Sequence, residues 1–241
     1  MDNMAKNKKK ADVIGTIIKY KSAFILLLLC ICVTLLTSKF LTWNNVMNIA
    51  RQTTTNGIIA MGMACVILTG GIDLGVGSIL AFSTMVCGQL INAGCPGPMA
   101  GILGVLTGGA IGLVSGSLIS FLDLPPFIVT LSSMSIFRGF TMLLSGGMPV
   151  TMQNQISFFG AGYIGPIPFP VIILVVIFFG LWFLLTLTKF GRHVYALGGN
   201  QQAAKLSGIN VNRVRTLVYG ISGVLSAISG LIIAARLNSA Q

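Results

Sequence analysis

Charge is what this sequence has least of. Only 8% of its 241 residues are Asp, Glu, Lys or Arg, where soluble domains carry about 25%. With 54% hydrophobic residues and a mean hydropathy of +0.92, the chain has too little polar surface to keep one large domain in water. That excludes an ordinary soluble protein and indicates an integral membrane protein. Acidic residues are scarcer still, four against fifteen basic ones, and His193 is the sole histidine. No Ser/His/Asp set, carboxylate pair or metal-ligand cluster is apparent, and the glycines near residue 198 lack the Lys-Ser/Thr of a nucleotide loop. The chain therefore reads as non-catalytic, with no metal and no cofactor expected. Its cysteines, Cys30, Cys32, Cys65, Cys87 and Cys95, lack zinc-motif spacing and read as small buried hydrophobes.

What charge there is lies unevenly. The net charge is +11, yet six of the fifteen Lys/Arg fall at Lys6, Lys8, Lys9, Lys10, Lys19 and Lys21. Five more fall at Lys189, Arg192, Lys205, Arg213 and Arg215. Basic clusters flanking apolar runs mark cytoplasmic loops of membrane proteins, so no nucleic-acid partner is expected. The apolar run after Lys21 lacks a cleavage signature and reads as an uncleaved first span.

Gaps between charges outline the spans. Residues 22–38 and 52–72 carry none, and the uncharged run 74–122 is broken at Ala93-Gly94-Cys95-Pro96-Gly97-Pro98 into spans near 77–93 and 98–121. A fifth span runs from Pro125-Pro126 to Ser145-Gly146-Gly147, a sixth over 170–188, and a seventh over 216–235. The expected fold is all-α, a polytopic integral-membrane helical bundle of about seven spans. Residues 1–21 form a basic cytoplasmic segment and 22–241 a single membrane domain. With the N-terminus cytoplasmic, six crossings return the chain to the cytoplasm at residue 189, where the second basic cluster lies. The same parity places 148–169 and 236–241 outside.

Four features stand out within this frame. Gly104, Gly108, Gly112 and Gly116 recur every fourth residue, which suits close helix packing. Asp73 sits among glycines in LTGGIDLGVGS, either as a tether for an irregular segment or beside a solute path. Arg138 falls about 18 Å into its span, counted at ~1.5 Å per residue from Pro126. There a charge must pair internally or line and gate a polar pathway. An Asp73–Arg138 ion pair is one arrangement the sequence leaves open. The stretch GRHVYALGGNQQAAKLSGINVNRVR, residues 191–215, is polar and basic between greasy spans. Asn200 suits a helix N-cap and Gly208 a helix stop. The short helix between them needs something to dock on, and Ala203, Ala204 and Leu206 supply a contact face. Binding to anionic membrane lipid alone is the simpler alternative.

ALGGNQQAAKLSGINV closely resembles the cytoplasmic loop of permease subunits in ribose/xylose/galactose-type sugar ABC importers. LTGGIDLGVGS and LPPFIVTL with SIFRG resemble motifs of that family in the same order, and the likeness covers nearly all of 41–241. It implies that 22–241 is a permease domain whose loop 189–215 engages a separate ABC ATPase subunit. Gly198, Gly199, Asn200, Ala203, Ala204, Leu206, Ser207 and Gly208 would form the coupling site. It further implies an extracytoplasmic sugar-binding protein, a second permease copy or related subunit, and residence in a bacterial inner membrane. The family's chain continues past the ARLNSAQ-like segment, so the expectation is a C-terminally truncated, fragmentary or split permease. A non-transporting remnant or interaction subunit, or a secondary transporter using Asp73, are the competing readings.

Overall fold

The computed structural model describes residues 21–241 and falls into two units, the first ending at Ile49 and the second covering Ala50–Gln241. The basic cluster at 6–19 lies outside the described residues. In the first unit, helix α1 (Lys21–Leu36) is apolar on every side and buries none of its residues. A turn follows in which the Thr42 hydroxyl donates to Lys39 O at 2.8 Å and Asn45 Nδ2 to Phe40 O at 2.7 Å. Helix α2 (Trp43–Leu68) starts there.

The second unit is built on helices α3 (Val76–Asn92), α4 (Gly97–Phe121), α5 (Pro126–Ser145), α6 (Ser157–Ala161) and α7 (Phe169–Leu187). These are followed by α8 (Lys189–Gly199), α9 (Gln201–Leu206) and α10 (Val211–Leu237). Prolines open α4, α5 and α7 in the first turn, where a missing N–H costs no helical bond. Helix α5 stops at Gly146 in the left-handed region, φ +59°, as a glycine C-cap permits. Two short ladders complete the architecture. Strand β1 (Val150–Thr151) pairs antiparallel with β4 (Ser239–Ala240), and β2 (Tyr163–Ile164) with β3 (Ile167–Pro168).

Among the described residues four helices, α4, α5, α7 and α10, are long and apolar enough to cross a membrane. Helices α1 and α3 are apolar but shorter, and α2, although 26 residues long, opens with the polar stretch WNNVMNIARQTTTN. Charge gaps misplaced two boundaries. The span expected at 52–72 is a helix over 43–68, because Arg51 and the neutral polar residues before it stay helical and Gly70 at φ +76° ends it early. The span expected at 216–235 covers 211–237, because Asn210 caps it through Arg213 N at 3.0 Å. Arginines in an end turn can stay helical while their heads reach water.

Helix α10 is the centre. Two-thirds of its apolar window is buried, against 6% for α7, so α10 is surrounded by protein and α7 faces outward. The glycines of α4 are set against it. A Cβ on Gly108 would lie 2.6 Å from Ala227 Cβ, and one on Gly116 would lie 2.9 Å from Thr216 Cα. At Gly112 it would collide with the Tyr219 carbonyl. Gly104 faces α3 as well, 2.9 Å from Ser83 O. From the other side, Gly223 of α10 abuts Gly108 O. Backbones this close gain dispersion contacts that lipid-facing side chains cannot supply.

The loops sort into two ends. Thr69–Gly71, Asp123–Pro126, Gln201 and Arg215 surround one recess of about 250 Å³. At the opposite end β1 pairs with β4, Asn92 Nδ2 donates to Thr151 O at 2.9 Å, and Asn154 N donates to Asn238 Oδ1 at 2.8 Å. Within the second unit, the loops around Thr69–Gly71 and Asp123–Pro126 thus gather at one end, and those carrying β1 and β4 at the other.

Candidate functional site

The break between α2 and α3 holds the one buried charged side chain among the described residues, Asp73. Thr69 closes α2 by donating from its hydroxyl to Val66 O at 2.8 Å, and Gly70 and Gly71 turn the chain without side chains. Asp73 is then 2% exposed. Its Oδ1 accepts from Gly75 N at 3.0 Å, and its Oδ2 accepts from the Ser222 hydroxyl of α10 at 2.8 Å. One residue earlier, Ile72 O accepts from the Tyr219 hydroxyl at 3.2 Å. The Thr130 hydroxyl of α5 donates to Pro126 O at 2.9 Å and lies 3.5 Å from Ile72 O. The segment is thus tied to α10 and set against α5. Burial pushes the Asp73 carboxyl up, while the Ser222 and Gly75 hydrogen bonds pull it back. Sequence reasoning did not foresee Ser222 and Tyr219 as its partners, since they lie about 150 residues away in the chain.

Arg138 is not among those partners. It is exposed on α5, and no hydrogen bond or ion pair within the described residues holds it. The Asp73–Arg138 pair left open by the sequence does not form. Ser132, Ser135 and Gly139 are exposed on the same helix, at spacings that place them on one face with Arg138 beside it. A Cβ on Gly139 would meet nothing within 4 Å. On the inner side Phe82 and Phe137 meet with tilted rings, centroids 5.3 Å apart, which turns the polar stripe away from the bundle.

The polar loop holds more helix than its sequence announced. Helix α8 starts at Thr188, whose hydroxyl accepts from Gly191 N at 3.3 Å, and buries Gly191, Val194 and Leu197. His193 is half-buried within it. Asn200 caps α9, its Oδ1 accepting from Ala203 N at 3.0 Å, and Gly208 ends the segment at φ +80°. Of the expected contact face, Ala204 turns inward at 4% exposure. Ala203, Lys205, Leu206 and Ser207 stay exposed, Leu206 at 90%. Arg215 Nη2 donates to Gln201 Oε1 at 2.7 Å, joining α9 to α10. At the hinge between α8 and α9, Gly198 lies directly on Leu68 O, where any Cβ would collide. Its neighbour Gly199 has open space. The C-terminal end of α8 thus rests on the residue that leads into Thr69–Asp73.

A bundle with four membrane-length apolar helices, an interior polar tether and a helical loop at one end defines a multi-pass membrane protein. Residues 45–241 match the family described as branched-chain amino acid transport system / permease component, and the chain belongs to that family. It is 44% identical over 219 residues to the ribose import permease protein of Bacillus subtilis, covering 90% of this chain and 68% of the relative. It is 40% identical over 230 residues to the ribose import permease protein of Escherichia coli K12, covering 93% and 72%. With the D-allose transport system permease protein of Escherichia coli K12 it shares 42% over 227 residues, covering 92% and 69%. No solved structure matches the chain.

Proposed function

We propose that this permease component serves a ribose-type sugar importer of the ATP-binding-cassette class, and that α8–α9 is the handle by which a separate ATPase moves it. The observation that carries the mechanism is the seat of Gly198 on Leu68 O. A push on α9 reaches Leu68 and then the Thr69–Asp73 segment. From there it passes to α10 through Ser222 and Tyr219, and toward α5 through Thr130. A close-packed relay of this kind shifts as a unit, because packed interiors do not deform continuously. Gly199, Ala203, Leu206 and Ser207 form the outward face of the handle, and Asn200 and Gly208 fix its ends.

The end bearing α8–α9 faces the cytoplasm in this reading, as the basic residues around it favour. The end carrying β1–β4 and the Tyr163–Pro168 hairpin meets an extracytoplasmic sugar-binding protein. The stripe of α5 holding Arg138, Ser132 and Ser135 lines the sugar's path opposite a second permease copy or related subunit. Water and sugar hydroxyls there satisfy a guanidinium that lipid would not.

Co-purification tests the handle. Gly199→Asp and Leu206→Glu, both on the outward face, are expected to abolish recovery of the ATPase subunit with the membrane-inserted chain. Full recovery with both variants overturns the assignment.

A further inference from the structure

Between α4, α6, α7 and α10 lies a half-open cavity of about 430 Å³. Gly101, Ile102, Phe159, Ile173, Ile228 and Ile232 are among its walls, and every lining side chain is apolar. Water and sugars are poor occupants, since a buried water needs two to four polar partners. The cavity also falls within the roughly 300–1,000 Å³ range of sites that hold ligands, and apolar cavities of only about 150 Å³ already exclude water while admitting small hydrocarbons. Hydrocarbon is what fits.

The far end of the slot supplies a charge. Arg236 stands one helical turn beyond Ile232 on α10, on the same face, and its side chain is exposed. Gly160, next to the lining residue Phe159, packs on the backbone of Ile232 and Arg236, so the mouth of the slot and the arginine adjoin. No hydrogen bond or ion pair within the described residues engages that guanidinium. Phe158, two residues before Gly160, packs its ring 4.8 Å from that of Phe169, and aromatics of this kind are enriched where a membrane meets water. An apolar slot running inward from a free guanidinium at that level matches a molecule with a hydrocarbon tail and a phosphate.

We infer that this slot is a phospholipid site, in which one acyl chain fills the space between α4, α7 and α10 and the lipid phosphate meets Arg236. The site rests only on membrane embedding, so its failure leaves the importer reading untouched.

The test uses the full chain in bilayers containing a trace of phosphatidylglycerol with a photoactivatable diazirine on one acyl chain. A diacylglycerol bearing the same group serves as the headgroup-free comparison. The expected result is several-fold enrichment of label on residues 101–106 and 228–232 over the outward residues Val175, Val176, Phe178 and Phe179. Phosphatidylglycerol is expected to label the slot more than diacylglycerol does. Gly101→Leu adds volume where a Cβ meets only Leu231 Cδ1 at 3.9 Å, and it should return labelling to background without disturbing the fold. Val105→Phe fills the slot independently and should do the same. Arg236→Gln should erase the preference for phosphatidylglycerol while acyl labelling persists. Label spread evenly over all outward residues overturns the site, as does unchanged labelling in both filled variants. Equal labelling by the two probes overturns the phosphate contact. A photoreactive residue at Ile102 that captures another protein chain in place of lipid overturns the occupant.

Discussion

The Ser222 hydroxyl donates to Asp73 Oδ2 at 2.8 Å, tying the central helix α10 to the break between α2 and α3. Gly75 N holds the other carboxylate oxygen at 3.0 Å. A carboxylate with both oxygens occupied by the protein's own donors acts first as a clamp. Whether its charge also serves transport separates into two measurements.

Asp73→Ala removes both acceptors and leaves two buried donors unmatched. Hydrogen bonds to a charged acceptor contribute about 1.5–3 kcal/mol each, so a loss of about 3 kcal/mol is expected in thermal unfolding of the purified chain. Asp73→Asn keeps an oxygen for Gly75 N and offers its amide to the Ser222 oxygen, so it should cost under about 1 kcal/mol. Equal stability of the two variants overturns the clamp. A stable Asp73→Asn protein that assembles but moves no sugar assigns the charge itself to the solute path.

Gly198 and Gly199 are adjacent but answer to different neighbours. Gly198→Ala drives a Cβ into Leu68 O, so α8–α9 must shift against the Thr69–Asp73 segment. The expected outcome is an ATPase subunit that still co-purifies but hydrolyses ATP without matching sugar uptake. Gly199→Ala meets nothing within 4 Å and should leave stability unchanged. Normal coupling in Gly198→Ala would falsify the relay through Leu68.

Packing along the glycine row of α4 has a built-in control on α7. Gly112→Leu forces a side chain into the Tyr219 carbonyl and the Gly220 backbone, whereas Gly180→Leu enters open space. Overpacking a tight interior costs typically 1–3 kcal/mol, and backbone contact this close puts Gly112→Leu at or above roughly the upper end. Gly180→Leu should unfold at the parent temperature. Similar melting of the two would mean that α4 and α10 do not meet along this row.

Helix positions were legible because charge gaps, first-turn prolines and glycine stops are local signals. Pro126 and Gly146 bracket α5 in sequence and structure alike. Less was legible where a charged residue sits inside a helix that polar residues prolong, as Arg51 does in Trp43–Asn56, or where terminal arginines belong to one, as at Arg213 and Arg215. Helix α8 was hidden because its inward apolar positions, Phe190, Val194 and Leu197, are interleaved with glycines and with Lys189, Arg192 and His193. The partners of Asp73 were beyond local reading altogether. Ser222 looks like one more small residue of an apolar span until the fold brings it against the carboxylate. Ala204 shows the opposite limit, since composition cannot tell which side of a two-turn helix faces its own chain.

Arg138 carries the sharpest prediction about the transport path. An arginine at mid-span costs at least roughly 2.5–3.5 kcal/mol on insertion scales, and here no group within the described residues offsets it. Arg138→Gln should therefore insert and fold at least as well as the parent when the chain is expressed alone. In the assembled transporter, uptake should fall by roughly tenfold, the effect of removing about 1.4 kcal/mol of interaction along the path. Arg138→Lys keeps the charge but loses the planar fork of donors, so partial recovery points to charge and none to geometry. Assembly lost together with uptake would instead place the guanidinium in the contact between permease subunits. Assembly and uptake both normal in Arg138→Gln would remove Arg138 from the pathway and from the subunit contact alike.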